Sequence, residues 1–257
     1  MASIIRRITL IALLGVVFAS GCAPPSGVVY QYSTINALLE GVYDGDMTCA
    51  RLLQHGDFGL GTFNALDGEM IVIDRTIYKI RSDGKAYSMG GNETTPFAVV
   101  TAFEPNMIFN IEHDGSPTLE QLLEFKVPES NLIQAIRIDG HFKYVKVRSV
   151  PKQKRPYRRL AKVTEDQSVF ELKDVRGTLV GFLIPPHFAN VNMPGYHFHF
   201  ITEDRSRGGH VLKCRTGHVV MQIDEIPEFH LVLPETGDFL KARLAGDRSA
   251  ELEKAEK

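Results

Sequence analysis

Apolar positions along the chain fall into two regimes, one with helical spacing and one with short alternating runs. After a capping Ser33 or Thr34, the residues Ile35, Leu38, Leu39 and Val42 recur at i, i+3, i+4 and i+7 and predict a helix. A second helix is predicted over 48–54, ending near Gly56. Beyond it, apolar runs punctuated by Gly and Asp predict strands over 61–66, 69–73, 76–81 and 97–103. Helical stretches follow over 118–125 and 129–132. Asp139-Gly140, between runs at 135–139 and 142–150, predicts a tight hairpin. Further strands are expected over 169–172, 175–184, 195–202, 210–215, 218–223 and 230–233, then a short helix within 236–244 and a charged tail from Asp247.

Many strands and few short helices indicate an α+β protein with mixed or antiparallel β-sheets. The loop Pro151 to Tyr157 suggests a boundary between an N-terminal α+β lobe, 34–150, and a β-rich C-terminal lobe with its tail, 151–257. Residues 22–33 read as a flexible leader. Ahead of them, Arg6 and Arg7 precede an apolar stretch from Ile8 to Phe18 and the small residues Ala19, Ser20 and Gly21. That order marks residues 1–21 as a secretory signal peptide, too short to span a membrane comfortably. The run Ala19-Ser20-Gly21-Cys22 resembles a bacterial lipoprotein box, which makes Cys22 a candidate for lipidation and membrane tethering. Ordinary cleavage and release is the alternative. Either way the expected location is extracytoplasmic.

Composition narrows the function. In 257 residues, 29 basic and 31 acidic side chains give a net charge of −2, which provides no field to attract nucleic acid. A 44% hydrophobic content is that of a folded domain. Beyond Cys22, Cys49 and Cys214 remain, able to pair in an oxidising compartment or to stay as buried thiols. The chain carries no GxGxxG, Walker loop or GxSxG elbow.

Chemistry concentrates in Gly195-Tyr196-His197-Phe198-His199-Phe200 and Gly208-Gly209-His210-Val211. Residues two apart on a strand share a face, so His197 and His199 project together while Tyr196, Phe198 and Phe200 pack behind them. A hairpin over Glu203–Gly209 then sets His210 opposite one of them. Three imidazoles with an open fourth position suit catalytic zinc and also accept iron, copper or manganese. His141, His187, His218 and His230 lack such partners. Glu203, four residues after His199, completes a pattern resembling the cupin metal motif, although the upstream glycine spacing departs from it. A loop carboxylate is the plainer account of Glu203.

The same segment resembles the alpha-acetolactate decarboxylase family, which carries Gly-Tyr-His-x-His-Phe and Gly-Gly-His-Val. The similarity extends to Gly61-Thr62-Phe63-Asn64-Ala65-Leu66-Asp67-Gly68-Glu69, to Arg148-Ser149-Val150-Pro151 with Pro156-Tyr157, and to Val175 through Phe182. The resemblance implies zinc bound by His197, His199 and His210, with Arg148 orienting the substrate, Glu69 moving a proton and Thr62 in the substrate pocket. It implies a glutamate from the C-terminal tail, for which Glu253 or Glu251 is the nearest match, and a homodimer. The implied reaction takes (S)-2-acetolactate to (R)-acetoin and CO2. In such a 2-hydroxy-3-oxo acid the ketone lies beta to the carboxylate and receives the electron pair, so neither pyridoxal nor thiamine is required. The rivals are a cupin-like metal-dependent oxygenase or isomerase, and a periplasmic metal-binding lipoprotein without catalysis.

Overall fold

A computed structural model describes residues 24–112 and 117–256, the side chain of Glu256 excepted; the predicted signal peptide and Cys22 lie outside the described residues. Two sheets carry the fold. The first has seven strands in the order β14 (Glu228–Val232), β1 (Val28–Tyr32), β8 (Ala98–Thr101), β3 (Phe58–Thr62), β4 (Glu69–Ile73), β5 (Thr76–Ile80) and β6 (Ala86–Ser88). All neighbours are antiparallel except β1 and β14. The second sheet runs β10 (Ile133–Ser149), β11 (Ser168–Ile184), β12 (Gly195–Thr202), β13 (Gly208–Ile226) and β9 (Met107–Ile111). Because β10 also pairs with β13, these four long strands close into a ring of neighbours. A two-stranded ribbon, β2 (Met47–Thr48) with β7 (Thr94–Thr95), completes the strands.

Three layers of core follow from the period-two alternation. Ile71 and Ile73 of β4 face the second sheet and meet Val180, Phe182 and Ile201. Met70 and Val72 face the opposite way with Phe63, Leu52 and Ile77. Inside the ring, Ile136, Ile138, Phe142, Leu179, Phe198 and Phe200 form a separate cluster. Helix α1 (Ile35–Leu39), capped by the Thr34 hydroxyl accepting from the Ala37 N–H, packs onto the first layer beside α4 (Leu160–Val163). The others are α2 (Cys49–Leu52), α3 (Leu119–Lys126), α5 (Gly237–Lys241) and α6 (Ser249–Glu256).

Several expectations need correction. Residues 28–32, read as flexible leader, form β1, buried between β8 and β14. The two predicted lobes interleave: β10 and β9 join C-terminal strands, and β14 joins the N-terminal sheet. Residues 64–66, read as strand, make a 3-10 turn with left-handed Ala65 and Leu66, φ 60° and 50°. Residues 129–132 are not helical, and the charged tail forms α6.

Asp139-Gly140 is no hairpin. Both lie within the continuous β10, because pairing partners on both edges, β11 and β13, outweigh a local turn preference. Gly140 has φ 145°, and a Cβ there would lie 2.4 Å from the His218 carbonyl oxygen. The register against β13 shifts on either side of Phe142. Across that irregularity the face lining the ring changes from Ile136, Ile138 and Phe142 to Val145 and Val147.

Candidate active site

The imidazole wall comes from β12 and β13, joined by a tight turn at 203–207. Their register sets His199 directly opposite His210, and His197 lies two residues earlier on the same face. Ring centroids are 4.9–5.4 Å apart, and one nitrogen from each ring lies within 4.8 Å of the others. His197 Nε2 and His210 Nδ1 are separated by 3.1 Å. His199 Nδ1 lies 2.8 Å from the Met70 carbonyl oxygen of β4. A carbonyl only accepts, so Nδ1 carries the proton and Nε2 keeps its lone pair toward the cavity.

Burial favours the neutral form of His197 and His199. The His197 imidazole is pushed down to about 3, first by loss of solvation and then by the Arg148 cation. His199 is held well below its ordinary value by burial, by His197 and by Arg148, with the Met70 hydrogen bond opposing. Metal ligation requires neutral imidazole, so a cluster in which His197 and His199 resist protonation fits a divalent ion. Zn–N bonds of about 2.0–2.1 Å place two tetrahedral nitrogen ligands roughly 3.3 Å apart, close to the His197–His210 separation. His197, His199 and His210 can therefore hold a metal ion.

The facing wall is charged. Glu69 opens β4 opposite Thr62 of β3, and its Oε2 lies 3.7 Å from His199 Nε2. Its Oε1 lies 3.5 Å from Arg148 Nη1. Arg148 pairs with His210 across β10 and β13, and its Nη2 donates to the Ala255 carbonyl of α6 at 3.1 Å. Both side chains are buried. The face change beyond Gly140 brings Arg148 to this side, because Val147 now fills the ring. Thr62 Oγ1 donates to the Gly68 carbonyl at 2.8 Å, fixing the turn that delivers Glu69. Gly68 itself needs φ 93°, and a Cβ there would meet the Ile80 oxygen at 2.3 Å. Between the walls lies a cavity of about 40 Å³, also lined by Ile35, Leu38, Leu66, Phe97, Val150 and Leu160.

The structure thus brings together His197, His199, His210, Glu69, Arg148 and Thr62. Glu253 does not line this cavity: its side chain is exposed, beside a larger space edged by Tyr196, Phe198 and Leu252. Glu251 lies 3.4 Å from Arg248, the residue just ahead of α6. The tail reaches the site through the Ala255 carbonyl. Glu203, exposed, pairs with Arg176 at 3.2 Å, so the cupin pattern is not completed in space. Cys49 and Cys214 are free buried thiols in different core layers. Met70 and Ala255 contribute backbone oxygens, which no residue type advertises.

Comparison with known proteins agrees with this geometry. The family model described as alpha-acetolactate decarboxylase matches residues 29–246. An alpha-acetolactate decarboxylase of Methanosarcina mazei is 49% identical over 235 residues, covering 90% of this chain and 81% of that protein. That of Raoultella terrigena is 45% identical over 224 residues, covering 87% and 86%. The crystal structure of alpha-acetolactate decarboxylase from Bacillus subtilis strain 168 superposes with a TM-score of 0.86 at 39% identity, covering 89% of this chain and 99% of that one. The chain belongs to the alpha-acetolactate decarboxylase family and is a carboxy-lyase.

Proposed function

We propose that this protein catalyses the zinc-dependent decarboxylation of (S)-2-acetolactate to (R)-acetoin and CO2. One observation carries the proposal: three clustered imidazoles face a buried Glu69–Arg148 pair across a single cavity with largely apolar walls. Zinc held by His197, His199 and His210 supplies a Lewis acid for the oxygens on which the electron pair left by CO2 comes to rest.

The remaining work belongs to the chain. Arg148 offers a planar fork to the substrate carboxylate, and its contacts with Glu69 and the Ala255 carbonyl fix the plane of that fork. The fork orients the scissile bond; a tighter grip would stabilise the ground state and slow the loss of CO2. Glu69 stands on one side of the cavity, where its carboxyl can pass a proton to the carbon that lost CO2, so one hand of acetoin results. Leu66, Phe97, Val150 and Leu160 exclude water and take the methyl groups.

The proposal includes export, with residues 1–21 removed and Cys22 lipidated, and action as a homodimer; intact-mass and sedimentation measurements check both. The central test is anaerobic acetoin formation together with zinc content. Wild-type chain should bind one zinc and release CO2 without oxygen, and His199→Ala should lose both. Retention of both in that variant defeats the proposal. A dependence on oxygen would favour an oxygenase.

A further inference from the structure

Strand β5 carries one charged side chain, Lys79, and it is buried, with 2% of its surface exposed. It pairs with Met70 and lies on the face of the sheet turned away from the cavity. Its Nζ donates to Asp67 Oδ2 and Glu93 Oε2, each at 3.1 Å, and sits 4.4 Å from the Phe63 ring centroid. A buried ammonium loses its hydration, and only well-placed carboxylates and an aromatic face compensate.

The two carboxylates come from the two loops that support the charged wall. Asp67 belongs to the segment that turns into β4 and delivers Glu69. Glu93 stands immediately ahead of β7, where Thr95 Oγ1 donates to the Thr62 carbonyl at 2.7 Å. Thr62 in turn holds the Gly68 carbonyl, next to Glu69. The first loop also contains Ala65 and Leu66 in left-handed conformations, which side-chain-bearing residues adopt only when surrounding contacts impose them. Lys152 also approaches Asp67, at 3.8 Å, but its side chain is 64% exposed and its charge is screened by solvent.

We propose that Lys79 is a positioning residue for the decarboxylation, tying both loops from beneath the sheet so that Glu69 meets Arg148 and the imidazoles. This rests on the decarboxylase function proposed above. Lys79 touches neither the cavity nor its occupants, so its loss reaches turnover through Glu69 and leaves metal binding intact.

Steady-state kinetics of the zinc-loaded full chain with acetolactate test it. Lys79→Met should lower kcat about tenfold or more while KM stays within about twofold and zinc content is unchanged. Lys79→Arg, able to bridge the same two carboxylates, should recover most of the loss, and Lys152→Met should leave kcat at the wild-type value. A Lys79→Met kcat within about twofold of wild type, or a loss that follows departed zinc, overturns the proposal. Should Lys79→Met fail to fold, Asp67→Asn keeps Lys79 paired with Glu93 and should lower kcat about threefold to fivefold; an unchanged kcat there also overturns it. A wild-type chain that releases no CO2 defeats the decarboxylase function itself, and this inference with it.

Discussion

On the wall formed by β12 and β13, three imidazoles share a face because strand alternation and one hairpin register put them there. On the wall facing it, Glu69 and Arg148 stand together because a strained loop, a glycine turn, a register shift and the far end of the chain all deliver them. The first wall is local and built of imidazoles; the second is tertiary and charged. On the proposed function, that contrast separates two tasks. Holding a metal needs neutral donors on rigid strands, whereas moving CO2 and a proton needs charges whose positions are imposed from several directions.

Substitutions can break the contrast. The largest effect is expected from Arg148→Ala and Glu69→Gln, which should cost about 10²–10⁴-fold in turnover while zinc content stays at the wild-type value. Loss of zinc in either would show that the two walls are not separable in function. Next comes Gly140→Val, which forces a side chain against the His218 carbonyl at a positive φ. It should destabilise the fold by about 2–4 kcal/mol in urea unfolding, and the surviving folded fraction should turn over more slowly as Arg148 is displaced.

The smallest effect concerns a carboxyl elsewhere on β13 whose charge is disfavoured by burial. Asp224, buried near the far end of that strand, has its carboxyl raised to about 6 by loss of solvation, against a hydrogen bond from the Glu104 N–H and with the Glu104 charge adding. Its folded value stands above the unfolded 3.8, so its contribution is fully present below about 3.8 and is lost as pH rises through about 6. Asp224→Asn should therefore gain about 1–3 kcal/mol at pH 7 and almost nothing at pH 4, measured by urea unfolding. Equal gains at both values would show that burial does not set the charge of this carboxyl.

The same contrast explains what the sequence made legible. His197 and His199 announce their shared face by spacing alone, and the α1 stripe with its Thr34 cap needs nothing beyond its own residues. The strand-rich α+β class follows from the same local patterns. Arg148 cannot be placed by counting, since alternation from Ile136 and Ile138 puts even positions inside the ring and only the irregularity after Gly140 reverses them. Asp139-Gly140 looks like a turn until two partner strands claim its edges. β1 follows Pro24-Pro25 and a glycine, so its strand character depends on β14, almost the whole chain away. Lys79 gives no sign in sequence that two distant carboxylates await it.

The parallel seam between β1 and β14 has a consequence for how the molecule matures. The first strand among the described residues cannot find its parallel neighbour until residues 228–232 emerge, and Arg148 meets the Ala255 carbonyl later still. Contacts so remote in sequence make folding slow and late. A nascent chain that has reached only His210 carries its histidine ribbon but lacks both the β1–β14 seam and the Arg148–Ala255 contact.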